Sequence, residues 1–296
     1  MTVCRDSKLP LLVLFIAAAL MAVCATALAT PADDIAAGDR AWAQRAEGHR
    51  GSRAAAEPIQ AAIDAYARAL DADAENLDAR WKLLRAFHFK GEFVLEDDKA
   101  RLELFKQGRE IAETGVSQIE RVFALRAGMF NMQPAEVASA VGNQSAVAEF
   151  CFWAAANWGL WGQYSGKLIS ALMGVVNKLR QFAEIMVLMD DSVENGGGHR
   201  LLGHFNARVP KIPFFTWWVD HDLAVSELRL SLEVAPASLL SQIYLAEALL
   251  KFHPAQKTEA LDLLQHIVVS DPDPNRLVED IAVIGDARRL LADNLR

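Results

Sequence analysis

Cysteine is scarce: Cys4, Cys24 and Cys151 are the only three in 296 residues, too few for a disulfide framework. Positive charge is short as well, with 30 Lys+Arg against 38 Asp+Glu and a net charge of −8. Binding built on neutralised phosphates needs clustered cations, so no nucleic-acid partner is expected. Strand signals are nearly missing, because no run of β-branched residues alternates with polar ones at period two. Catalytic and metal signatures are also lacking. There is no Gly-x-Ser-x-Gly elbow and no Cys–His arrangement. His199 and His204 are five apart, off the i, i+4 spacing that puts two ligands on one helix face. Asp220-His221-Asp222 gathers ligand types, but adjacent helical residues point apart, and a helix N-cap by Asp220 or Asp222 explains them. The expectation is a non-enzyme with no catalytic residue, no metal and no cofactor.

What is present is apolar. Hydrophobic residues make up 52% of the chain and charged ones 23%, which excludes disorder and supplies a substantial core. The start reads as an export signal: Arg5 and Lys8, an apolar run from Leu9 to Cys24, then Ala25-Thr26-Ala27-Leu28-Ala29. Cleavage is expected after Ala29, giving a signal peptide at 1–29 and one helical domain at 30–296. Loss of Arg5, Lys8 and Asp6 takes the net charge from −8 to −9. A retained anchor over Leu9–Ala29 is the alternative. Lipidation at Cys24 fits less well, since Val23 precedes it where a small residue is needed. The exported chain keeps only Cys151, between Phe150 and Phe152, which reads as a buried, inert thiol. No further membrane span is expected: the longest uncharged stretch in this region, Phe150–Gly166, has 17 residues, including Asn, Gln, Ser and three Gly.

Alanine- and leucine-rich segments of 3.6-residue period recur throughout, so the fold class is all-α. Phe150, Trp153, Ala154, Asn157, Trp158 and Trp161 form one stripe on a helix. Leu168, Ala171, Leu172, Val175, Leu179, Phe182, Ile185, Met186 and Met189 form the next. The pattern also repeats at longer range, as in a tetratricopeptide array of helix pairs about 34 residues long. Ala224, Leu228, Ser231 and Pro236 fit a second helix, Leu245-Ala246 and Leu249 the next first helix, and Ala260, Leu264, Ile267 and Pro272 its partner. Near the start, Ala62, Tyr66, Ala69 and Leu70, then Trp81, Leu84 and Phe87, read as a further second and first helix. A TPR-like array of helical hairpins in a single compact domain is expected.

The repeat is broken after His199-Arg200-Leu201-Leu202-Gly203, where the connection is about nine residues too long. The insertion, Ala207 to Trp218, holds Phe214, Phe215, Trp217 and Trp218 within five positions. So apolar a loop must pack on its own helices or meet another chain. Upstream, Asn195-Gly196-Gly197-Gly198-His199-Arg200 opens a helix. It reads either as an anion-binding turn or as a tight helix-to-helix turn with positive φ, His199 and Arg200 capping or bridging neighbours. Trp153, Trp158 and Trp161 either wall a ligand cleft with Asn157 as polar handle, or form plain core. A buried Asn157 needs partners, for which the Gly196–Gly198 backbone and His199 are candidates.

Together, Asn157-Trp158-Gly159 with Trp161-Gly162, Lys167, and Gly196-Gly197-Gly198-His199-Arg200 with Leu202-Gly203 resemble the TatT component family. These are tetratricopeptide-type periplasmic proteins associated with tripartite ATP-independent periplasmic (TRAP) transporters. Ala224, Ala235-Pro236 and Tyr244-Leu245-Ala246-Glu247 agree with it, and the resemblance covers about Ala146–Pro274. The Phe214–Trp218 loop is richer in aromatics than the family pattern. The resemblance implies a helical, non-enzymatic accessory protein in the periplasm that binds the transporter's solute-binding protein and assists small-molecule uptake. The aromatic loop makes a homo-oligomer plausible. Two other readings stand beside it: a direct binder of an organic acid or apolar ligand in a cleft between Trp158 and His199, and a general cell-envelope scaffold.

Overall fold

A computed structural model describes residues 30–166, 174–211 and 216–295. The signal-peptide segment, Lys167, Phe214, Phe215 and the Leu168–Leu172 part of the second stripe lie outside the described residues.

Among the described residues twelve α-helices follow one another. They are α1 (Pro31–Ala43), α2 (Ala56–Ala72), α3 (Leu77–Phe93), α4 (Asp98–Val122), α5 (Pro134–Val141) and α6 (Ser145–Ser165). The second half holds α7 (Val175–Met189), α8 (Gly197–Arg208), α9 (His221–Val234), α10 (Leu239–Phe252), α11 (Lys257–Val269) and α12 (Leu277–Asn294). Among the described residues there is no strand, only one bridge between Arg50 and Arg53. No described helix is long and apolar enough to cross a membrane.

Local chemistry sets the boundaries. Thr30 and Asp33 form a capping box ahead of α1, with Pro31 in its first turn. Asn76, Asp97, Asp220 and Ser238 each cap the next helix by accepting a backbone N–H. The Asp220 cap is the one expected from Asp220-His221-Asp222. The repeat positions also fall inside: Ala224, Leu228 and Ser231 on α9, Leu245, Ala246 and Leu249 on α10, and Ala260, Leu264 and Ile267 on α11 are all buried. A short 3₁₀ turn, Pro254–Gln256, joins α10 to α11.

Each helix packs on its sequence neighbour from α1 to α4 and from α6 to α12, and α6 packs across on α3 and α4. α3 and α4 run antiparallel: Arg101 at the start of α4 donates to the Gly91 carbonyl near the end of α3, while Arg80 near the start of α3 reaches Gln118 near the end of α4. Glycines permit the close crossings. Phe105 lies over Gly91, and Phe150 and Arg80 lie over Gly115, where a Cβ would collide.

The chain closes on itself. Arg45, just past α1, donates to Glu279 on α12 at 2.9 Å and to the Asn275 carbonyl. Val278 is fully buried in the cluster formed by Ile59, Tyr66, Leu83 and Phe87. The last helix therefore shares a core with the first three. One consequence is electrostatic: Arg276, at the head of α12, disfavours protonation of both His88 on α3 and Arg200 on α8.

The expected α6 stripe is buried throughout at Phe150, Trp153, Ala154, Asn157, Trp158 and Trp161, and burial extends beyond it to Cys151, Phe152 and Ala155. α3, α4 and α7 surround α6 on several sides. A helix enclosed in this way is apolar around most of its circumference.

Candidate functional site

The tryptophans of α6 are core. Trp153, Trp158 and Trp161 keep 8%, 2% and 7% of their surface. Trp158 lies against Phe130 and Phe182 at 5.7 Å each, with the Lys178 ammonium 4.4 Å from its ring. The Arg109 guanidinium sits 4.3 Å from the Trp161 ring. Cys151 is fully buried, and burial pushes its thiol up to about 12, so it is inert as expected.

Asn157 does not pair with the glycine turn or with His199. Its Nδ2 donates to the carbonyls of Leu84 (2.9 Å) and Trp153 (2.8 Å). Gly108 makes the room: a Cβ there would lie 2.5 Å from Asn157 Oδ1. The amide thus ties α6 to α3 across a glycine of α4, while its Oδ1 is buried without a hydrogen-bond partner among the described residues.

The glycine segment is a helix-to-helix turn. Glu194, Asn195 and Gly196 all have positive φ (50°, 56° and 72°), and α8 starts at Gly197. A Cβ on Gly197 would strike Phe152 at 2.7 Å, so the turn packs directly on α6. Arg200 is buried and closes the turn by donating to the Glu194 and Asn195 carbonyls at 2.9 and 3.0 Å. Burial and the Arg276 charge lower its pKa to about 10. His199 bridges to Glu227 of α9 at 2.7 Å. No hydrogen bond or ring contact among the described residues joins Trp158 to His199; Trp158 Nε1 donates to the Arg109 carbonyl instead.

The insertion divides in character. Trp218 donates to Asn177 Oδ1 at 3.0 Å and lies 4.9 Å from the Arg180 guanidinium, which fastens it to α7. Trp217 beside it is 68% exposed. One side of the loop is therefore packed and the other faces outward.

Two polar groupings escaped the sequence reading. Glu149 on α6 faces Arg85 on α3 together with Glu194 and Asp190 around the turn; burial, reinforced by Glu194, raises its carboxyl to about 7. Its Oε2, the Trp153 Nε1 and the Arg85 Nε are all buried without a hydrogen-bond partner. The second grouping is His204 on α8 with Tyr244 on α10, rings 4.2 Å apart, at a cavity of about 300 Å³. In the sequence Tyr244 stands out only within the family resemblance, and His204 only as a residue off the metal-ligand spacing. The signal that unites them, α8 crossing α10, is a tertiary fact. Among the described residues no His, Cys, Asp or Glu trio is placed to hold a metal ion.

The chain matches no protein-family model and no curated protein.

Proposed function

We propose that the protein is a periplasmic, TPR-like accessory subunit of a TRAP-type uptake system. It binds the transporter's solute-binding protein and performs no chemistry of its own. The all-helical described chain, with most helices packed on their sequence neighbours, supports the repeat reading. The observation that carries the partner reading is Trp217. A 68% exposed indole on a loop fixed to the body through Trp218 is the kind of aromatic anchor that partner surfaces use. Tryptophan exposed so fully gains nothing for the fold and leaves apolar area in water.

Affinity capture from a periplasmic extract tests this. The chain is expected to retain a solute-binding protein, and the Trp217→Ala variant to retain much less. Capture that never recovers a solute-binding protein counts against the proposal.

A further inference from the structure

We propose that the turn between α7 and α8 is a proton-sensitive hinge, shut on α6 while Glu149 is neutral and released when Glu149 ionises opposite Glu194 and Asp190. The device belongs to the fold and does not rest on the accessory reading.

The turn is held under strain. Glu194 and Asn195 have φ of 50° and 56°, in the left-handed region that disfavours both side chains. Arg200 keeps them there by donating to both carbonyls, and Ser231 Oγ donates to the Gly196 carbonyl at 3.0 Å. The main chain adds two bonds, from the Gly197 N–H to Val193 and from the Arg200 N–H to Gly196, at 2.9 and 3.0 Å. Loosening these fastenings relieves the backbone, so the turn is biased towards opening.

Glu149 sits at the seam that these bonds close. It precedes Phe152 by three residues on α6, about one helical turn, so the two share a face. Phe152 is the ring on which Gly197 packs, and the Arg200 guanidinium lies 5.8 Å from its centre. Glu149 Oε2 is buried without a hydrogen-bond partner. The charges facing it do not balance: Glu194 and Asp190 of the turn oppose it, and Arg85 of α3 attracts it. Arg85 is engaged elsewhere, with its guanidinium 4.0 Å from the Trp42 ring and 4.9 Å from that of Trp81. Arg200, beyond the turn, has Glu194 as its charged neighbour. Burial, reinforced by Glu194, raises the Glu149 carboxyl to about 7, which sets the switch in the neutral range. Below it the carboxyl is uncharged and the seam stays shut. Above it a third carboxylate joins Glu194 and Asp190, and outward movement of the turn both separates them and admits water.

Hydrogen exchange of the full chain reads the hinge directly. Protection of the Gly197 and Arg200 amides, corrected for the intrinsic pH dependence of exchange, should fall about tenfold between about pH 6 and about pH 8. That exchange should not respond to dilute urea, the mark of a local opening. Glu149→Gln keeps an uncharged group at the seam, and its protection should be the same at both pH values. Glu194→Gln removes one facing charge and should move the midpoint of the fall to lower pH. His199, the other titratable side chain beside the turn, bridges to Glu227, and His199→Gln should leave the fall in place. The proposal is overturned if protection in the parent is equal at both pH values, if it falls as much in Glu149→Gln, or if the fall disappears in His199→Gln. It is also overturned if dilute urea speeds this exchange as it speeds global unfolding.

Discussion

The middle of the chain and its C-terminal third both place aromatics beside cations, and they use them in opposite ways. Around α6 the rings of Trp158, Phe130 and Phe182 contact one another, and Lys178 covers them from outside. The amide of Asn157 is anchored on two carbonyls. Between α8 and α10, the His204 and Tyr244 rings lie 4.2 Å apart and tilted by 33°, at the lining of a cavity of about 300 Å³. Aromatic density marks packing. Rings that meet at a cavity leave one side to open space.

Truncation should separate the two regions most sharply. Trp158→Ala removes a ring that is 2% exposed and is expected to cost roughly 4 kcal/mol in a urea titration. Tyr244→Phe, by contrast, should leave the urea midpoint almost unchanged. A Trp158 variant as stable as the parent would return that ring to the list of site residues.

The closure of the chain is the next test. Glu279 and Arg45 keep 14% and 10% of their side-chain surface, so Glu279→Ala strands a buried guanidinium and should cost about 3 kcal/mol. The loss should appear in hydrogen exchange of α1 and α12 ahead of α6, because the pair joins the two ends.

Gly196→Ala probes the turn that links the regions. The residue has φ +72°, and a Cβ would lie 2.8 Å from the Ser231 backbone carbonyl. A cost of about 2 kcal/mol follows from the left-handed backbone and the contact with immobile main chain.

Glu149 gives the comparison a pH dependence. Its carboxyl rises from 4.5 to about 7 on folding, with burial the main cause. The folded state thus holds a proton that the unfolded chain releases. Stability is full below about pH 4.5, falls as pH rises towards 7, and is then flat. Glu149→Gln removes the dependence: it should match the parent at pH 4.5 and exceed it at pH 8. The gain should be about 2 kcal/mol, reduced from the full shift because the side chain is partly exposed. Equal denaturation midpoints at pH 8 would mean that Arg85 already neutralises the group.

Helical periodicity carried far because local rules govern it. The repeat positions of α9, α10 and α11 are inside, Asp220 caps α9, and the glycine run is a positive-φ turn. At α6 periodicity found the buried stripe but not its width: α3, α4 and α7 pack on the helix from several sides, so Cys151, Phe152 and Ala155 are buried beside it and little beyond Gln163 and a few half-buried residues remains toward solvent. Asn157 was correctly read as needing partners, yet its partners sit on α3 and on its own helix, through space that Gly108 opens on α4. No spacing in the sequence encodes that crossing. The same holds for His204 and Tyr244, 40 residues apart along the chain, which meet only because α8 packs on α10. The chemistry-bearing pairs depend on crossings between helices, and crossings were the part the sequence could not supply.

The smallest effect on the fold should carry the largest effect on partnership. Trp217 is 68% exposed while Trp218, one residue on, is held by Asn177 and Arg180. Trp217→Ala should shift the urea midpoint by no more than about 0.5 kcal/mol, as exposed substitutions do. Trp218→Ala should cost more, because it releases the loop from α7. If Trp217 anchors a partner, its loss should weaken capture at least tenfold, since buried aromatic anchors contribute 2 kcal/mol or more at about the centre of an interface. If capture survives Trp217→Ala but fails with Trp218→Ala, the loop matters for its shape and the contact lies elsewhere on it. Only the first outcome makes the exposed indole a binding group.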